Sequence, residues 1–216
     1  MIRIFLLVVG NALALWLALL ALQTAHGNRL GWFMFAVGLA YMAGGVFTIW
    51  PHVDQEDPTI PGTGNRSLWS VVPGFVAASF GPLLEYRHLP PLLARGPGMQ
   101  FAGLAIIALG LFLLVWARLA GRGVPLRYPR SRGRRVLVTG GPYCSVRHPG
   151  DASFVLLALG ISIGYSSVIG LVAITLLLLP GLAYRIHVEE RLLLEAFGQE
   201  YRAYCRTTKA LIPGIW

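Results

Sequence analysis

The sequence predicts an all-α protein, a polytopic transmembrane helical bundle of about six membrane helices that includes a C-terminal helical hairpin. Composition is the first reason: of 216 residues, 56% are hydrophobic and only 12% charged, against roughly a quarter charged in soluble domains. Mean hydropathy is +0.64. Segment length is the second, because apolar runs recur near the roughly 20 residues that a helix needs to cross hydrocarbon.

The runs fall near 4–22, 31–50, 68–84 and 99–120, followed by one stretch from about 152 to 184. Arg3 precedes the first run, whose apolar length exceeds the roughly 7–15 residues of a signal h-region. Gln23-Thr24-Ala25 is a poor cleavage site, so this segment is expected to be a retained helix. The run 68–84 is interrupted by Pro73, Gly74, Gly81 and Pro82, breaks that membrane helices tolerate when neighbours satisfy the freed backbone groups. It either spans or is re-entrant. The stretch 152–184 is too long for one span, and Ser162, Gly164, Ser166, Ser167 and Gly170 near its middle mark a turn between two short helices.

Charge placement gives orientation. The formal net charge is +9, and Lys209 is the single lysine among eighteen basic residues. Arg118, Arg122, Arg127, Arg130, Arg132, Arg134, Arg135 and Arg147 stand together without one intervening Asp or Glu, which assigns their loop to the cytoplasm. The hairpin returns the chain to that side, so the C-terminal segment with Arg191, Arg202, Arg206 and Lys209 is cytoplasmic as well. Four preceding spans put the N-terminus there too; a re-entrant 68–84 puts it outside. The acidic loop with Asp54, Glu56 and Asp57 is a mild conflict, since acids weigh little in the rule. A multi-pass membrane protein divides naturally into N-terminal helices, 1–120, and a basic loop, hairpin and C-terminal helix, 121–216. The apolar bulk directs the basic character to anionic lipid headgroups or an anionic ligand and not to nucleic acid. Cys144 and Cys205, the two cysteines, form neither a disulfide framework nor a metal-ligand spacing, and no metal site is expected.

Chemistry-bearing residues gather at the mouths of the hairpin, where buried charge signals function. Val136-Leu137-Val138-Thr139 is a short β-prone run leading into Gly140-Gly141-Pro142, a turn whose glycines allow close backbone approach. Arg147-His148-Pro149 then opens a helix: proline suits its first turn, and the positive N-terminus beside Arg147 and His148 suits a carboxylate or phosphate. The plainer readings are a connector loop and an arginine snorkelling to lipid phosphate. At the other mouth Arg185 and Glu189 are four apart, with Glu190 adjacent. A simple helical salt bridge is the plain reading, but Arg before Glu is its weaker order, and the pair ends an apolar span. His187 has Glu190 within reach and is assigned no catalytic role. Leu192, Leu193, Phe197, Tyr201 and Tyr204 form an apolar stripe opposite Glu195, Gln199, Arg202 and Arg206, an amphipathic helix at the interface or over a pocket. Trp216 suits an interfacial anchor.

Four pieces of this region resemble the isoprenylcysteine carboxyl methyltransferases and their phospholipid N-methyltransferase relatives. They are Leu137-Val138-Thr139-Gly140-Gly141-Pro142-Tyr143 leading to Arg147-His148-Pro149, the apolar hairpin, Arg185 to Glu189-Glu190, and Phe197-Gly198-Gln199-Glu200-Tyr201. The resemblance covers roughly 125 to 216. It implies a membrane methyltransferase that binds S-adenosyl-L-methionine at the cytoplasmic ends of the hairpin and methylates a lipophilic acceptor arriving from the bilayer. The acceptor group is the carboxylate of a prenylcysteine-like compound or another lipid-like group. The cofactor-binding positions so implied are Arg135, Val136, Leu137, Val138, Tyr143, Arg147, His148, Pro149, Gly150, Asp151 and Glu189. Arg185 faces the substrate, and Arg185, Glu189 and Glu190 are the candidate catalytic residues. A carboxylate acceptor needs no base, leaving catalysis to proximity and electrostatics with Arg185 orienting the anion; an amine or thiol would want one, with Glu190 nearest. One position departs from the family: Asp151 stands where an aromatic residue is usual, removing a stacking face and adding a negative charge beside a sulfonium. A similar hairpin in NADPH-dependent membrane sterol reductases offers a second enzymatic reading, and a non-enzymatic lipid-binding protein a third.

Overall fold

In the computed structural model, residues 70–90, 92–120, 137–214 and 216 are described. Five helices make up this part: α1 (Val72–His88), α2 (Pro97–Ala120), α3 (Pro149–Gly164), α4 (Val168–Phe197) and α5 (Gln199–Thr207), with a 3₁₀ turn at Gly141–Cys144 before α3. No strand occurs among the described residues. Leu137, Val138 and Thr139 of the β-prone run belong to no regular element, and the one isolated bridge joins Val146 to Lys209. The expected spans 4–22 and 31–50 and the basic loop from 121 to 136 lie outside the described residues.

Among the described residues two helices are long and apolar enough to cross a membrane, Pro97–Ala117 and Val168–Phe197, and Pro149–Gly164 is a shorter apolar helix. The expected hairpin is therefore α3 and α4. Its turn, Tyr165 to Ser167, lies within the predicted small-residue cluster, and Ser166 takes a positive φ of 53°. The segment expected at 68–84 forms α1, displaced a few residues toward the C-terminus, with Pro73 in its first turn and Pro82 inside it. The hairpin also runs further than the apolar stretch. α4 continues through Arg185 and Glu190 to Phe197, and the break comes at Gly198, whose φ of 54° is a left-handed conformation that glycine adopts without a side-chain clash.

Small residues let these helices meet backbone to backbone. A Cβ added at Gly103 of α2 would lie 2.5 Å from the carbonyl oxygen of Gly160 on α3, the close crossing that small residues give membrane helices. At Gly74 of α1 an added Cβ would lie 2.4 Å from the Leu178 nitrogen of α4. Leu178 closes a π-helical turn, Ile174–Leu178, so the extra residue of α4 sits where α1 presses on it. Between these crossings Ala78, Leu157, Ala158, Leu178 and Leu182 are fully buried, and Phe75 meets Phe154 edge to face at 5.2 Å. By contrast Phe101, Leu109, Phe112, Val115, Trp116 and Leu119 of α2 are exposed, an apolar face that suits contact with lipid.

One buried acid ties α1 to the hairpin. Glu85, 2% exposed, accepts hydrogen bonds from the Ser167 hydroxyl, from Val168 N at 3.2 Å and from Ile169 N at 2.8 Å. It thereby caps the first turn of α4 from another helix, meeting amide groups that no intrahelical partner serves. Glu85→Ala is expected to lower stability by about 1–2 kcal/mol, the scale of a lost helix cap. Thermal unfolding in detergent checks it, and Glu85→Gln should recover part of the loss.

Candidate active site

The site forms where the start of α3 meets the last turns of α4. Arg147 and His148 enter it because their backbone pairs with the C-terminal segment: Arg147 N donates to Lys209 O at 2.7 Å and His148 N to Ala210 O at 3.0 Å. Ala210 and Leu211 in turn bury themselves against Ile186 of α4. His148 then becomes the residue before α3, with Pro149 in the first turn, and Asp151 points back from that turn.

Six ionisable groups converge. The Arg147 guanidinium contacts Glu190 Oε1 at 2.7 and 2.8 Å through Nη2 and Nε, and its Nη1 donates to the carbonyls of Thr208 and Cys205. Arg185 Nε donates to Asp151 Oδ1 at 3.2 Å, and Arg185 Nη2 lies 3.5 Å from Glu189 Oε2. His148 stands between the two ion pairs: its Nδ1 is 3.9 Å from Asp151 and 4.0 Å from Glu189, and its Nε2 is 3.5 Å from Glu190 Oε1. His148 and Asp151 are 6% and 7% exposed, so these charges interact with little screening by water.

Beside the cluster lies an aromatic patch. Leu137 packs with Leu193, Tyr201 and Tyr204, and the Tyr204 hydroxyl donates to the carbonyl of Tyr143 at 2.6 Å. Burial pushes the Tyr204 phenol up to about 12, which keeps it a donor at neutral pH. The Tyr201 phenol is raised as well, by burial and then by the charge of Glu190. Three buried polar atoms here have no hydrogen-bond partner: His148 Nε2, Arg185 Nη1 and Tyr201 Oη. Buried polar groups are nearly always paired, so these atoms stand out, although His148 Nε2 keeps Glu190 Oε1 at 3.5 Å.

Most of the residues expected at the hairpin mouths are thus brought together. Tyr143, Arg147, His148, Pro149, Asp151, Arg185, Glu189 and Glu190 share one region, with Leu137 in the adjoining patch. Val138 and Gly150 are half-buried nearby in sequence, and Arg135 and Val136 lie outside the described residues. The expected Arg185–Glu189 pair is present, but Arg185 meets Asp151 too. Glu190 turns to Arg147 and His148, and His187 is exposed. Tyr201 and Tyr204 were legible only as an apolar stripe; their hydroxyls and Thr208 belong to the site through tertiary contacts. Nδ1 of His148 and oxygens of Asp151 and Glu189 come within 4.8 Å of one another, a spacing compatible with a cation. The Arg185 guanidinium already rests on both carboxylates.

The described residues are helical with an ionic cluster at the mouth of a helical hairpin, and comparison with known proteins shows what this arrangement resembles. Residues 99–200 match the family model of the phospholipid methyltransferases. A probable protein-S-isoprenylcysteine O-methyltransferase of Oryza sativa subsp. indica is 35% identical over 79 residues, 37% of this chain and 41% of that protein. Protein-S-isoprenylcysteine O-methyltransferase A of Arabidopsis thaliana is 28% identical over 167 residues, 73% of this chain and 83% of that protein. The solved structure of a eukaryotic intramembrane Ras methyltransferase, isoprenylcysteine carboxyl methyltransferase, shares the fold with a TM-score of 0.52 at 22% identity, over 95% of this chain and 75% of the other. The match to the rice protein spans less than half of its length. The chain thus resembles the phospholipid methyltransferases over residues 99–200 and shares its fold with isoprenylcysteine carboxyl methyltransferase.

Burial works to lower the His148 pKa, but Glu190, Glu189 and Asp151 outweigh it and hold the imidazole above its usual value. A raised histidine stabilises the fold fully below about pH 6.5, its unfolded value, and that contribution is lost as pH rises through the folded value. The unfolding midpoint of the protein should therefore fall as the buffer is taken from about pH 6 to about pH 9. His148→Gln should flatten that slope; an equal slope in the variant would place the titrating group elsewhere.

Proposed function

We propose that the protein is an S-adenosyl-L-methionine-dependent methyltransferase of the membrane, acting on a lipophilic acceptor that reaches the site from the bilayer. The observation that carries this reading is the convergence of His148, Asp151, Arg185, Glu189 and Glu190 with three unpartnered buried polar atoms among and beside them. The names of the relatives point to an S-isoprenylcysteine, whose reacting group is a carboxylate; another lipid-like acceptor fits the same apolar approach. The cofactor supplies an electrophilic methyl group on a sulfonium.

The residues fit such a cofactor by their chemistry. Glu189 offers a carboxylate to a cationic amino group or sulfonium, and the Tyr201 hydroxyl offers a buried polar atom without a hydrogen-bond partner. Tyr143 and Leu137 bound the apolar side; Arg135, Val136 and Val138 are assigned to the cofactor by the resemblance alone. Pro149 and Gly150 open α3 without a bulky side chain. Arg147 acts differently, for its guanidinium is taken up by Glu190 and by two carbonyls; it fixes the C-terminal segment onto α4 and so holds His148 in place. The basic loop and the C-terminus face the cytoplasm in this reading, with the protein crossing the membrane several times. Holding donor and acceptor together beside this cluster provides the acceleration through proximity and fixed electrostatics.

Calorimetric titration of the purified protein with S-adenosylmethionine, S-adenosylhomocysteine and NADPH tests the proposal. The two adenosyl compounds should bind and NADPH should not; binding of NADPH alone would reverse the assignment. Glu189→Gln should weaken S-adenosylmethionine binding by about tenfold, as expected when a partly buried charge partner of roughly 1.4 kcal/mol is removed. An unchanged affinity would remove Glu189 from the cofactor site.

A further inference from the structure

Asp151 and Arg185 form a pair whose consequence reaches the choice of acceptor. A guanidinium recognises a carboxylate best by presenting two parallel N–H groups to its two oxygens. In Arg185 the side-on edge is already engaged: Nε donates to Asp151 at 3.2 Å and Nη2 lies 3.5 Å from Glu189, which leaves the end-on edge, where Nη1 has no partner. An acceptor carboxylate has two ways in. It can displace Asp151 and leave that carboxylate, 7% exposed, with only His148 Nδ1 beside it at 3.9 Å, an unfavourable exchange. Otherwise it can take the end-on edge at Nη1 while lying close to the Asp151 and Glu189 carboxylates that the same guanidinium holds. The surrounding charge adds to the difficulty, because three carboxylates (Asp151, Glu189 and Glu190) face two guanidiniums (Arg147 and Arg185), with His148 between them.

We infer that Asp151 is a specificity-determining residue that withholds Arg185 from anionic acceptors, so that the site admits a lipophilic acceptor with a neutral or cationic head, such as an amine. This rests on the methyltransferase reading for the role of the acceptor, though the selectivity itself is a property of binding. Asp151 touches no acceptor in this scheme. It acts through Arg185.

The test compares the equilibrium binding of three probes with the same isoprenyl tail: the S-isoprenylcysteine free acid, its carboxamide, and the corresponding isoprenyl amine. Binding to the purified full chain in lipid nanodiscs is followed by tryptophan fluorescence. The wild type should bind the carboxamide and the amine at least about tenfold more tightly than the acid, the scale set by one uncompensated charge near the surface of the cluster. Asp151→Asn should strengthen acid binding by a similar factor while leaving the carboxamide nearly unchanged. The inference is overturned if the wild type binds acid and carboxamide alike, or if folded Asp151→Asn protein leaves the acid as weakly bound as before. Should the variant not fold, the wild-type series decides by itself. Selective binding without any methyl transfer from S-adenosylmethionine would remove the enzymatic reading and leave this selectivity standing.

Discussion

Gathering six ionisable side chains, two buried and four half-buried, in so apolar a protein is expensive, and the structure meets that cost by giving each charge an opposite neighbour. Arg147 pairs with Glu190, Arg185 pairs with both Asp151 and Glu189, and His148 lies between them. Such clusters add little net stability, because desolvation offsets the attraction. What they impose is geometry. Removing any one partner strands a charge where water does not compensate it, so the helix ends must meet in one register. The start of α3, the end of α4 and the C-terminal strip are consequently fixed against one another, although they are far apart along the chain.

The rest of the fold serves that meeting. α4 must stay continuous from the turn near Ser167 to Gly198 so that Arg185, Glu189 and Glu190 reach the mouth opposite His148. Its far end is anchored by Glu85, and its middle passes Gly74 at backbone distance, where the π-helical turn shifts the helical phase of everything beyond it. A π turn moves later side chains around the helix relative to an unbroken α-helix. The direction in which Arg185 and Glu189 point is thus coupled to how α1 packs against α4, about two helical turns away.

Much of this was legible in the sequence, and the limits have physical reasons. The turn between α3 and α4 showed itself as a cluster of serines and glycines, and the site as ionisable residues beside an apolar run. The extent of α4 was not visible, because hydropathy ends near residue 184 while the helix continues with polar residues as far as Gly198. Glu85 carried no signal, since a lone acid at the end of an apolar segment reads as a boundary marker until its partners on α4 are known. The short β-prone run before Gly140 forms no strand among the described residues; Leu137 instead buries itself under Tyr201 and Tyr204. Local propensity there yields to packing against α4 and α5.

Arg147 shows how a reading by motif and a reading by contact divide the same residues. Its place beside His148 suggested an anion-binding role at a helix N-terminus. Its contacts show a guanidinium directed at Glu190 and at the carbonyls of Cys205 and Thr208. That geometry leaves no free fork on Arg147, while on Arg185 only the side-on edge is engaged, by Asp151 and Glu189. Each arginine ties separate parts of the chain together: Arg147 joins the C-terminal segment to α4, and Arg185 joins α4 to the first turn of α3. The guanidinium that the motif presents at the helix start is therefore a tie between elements, and Arg185, placed by sequence on a simple helical pair, reaches across to a second helix.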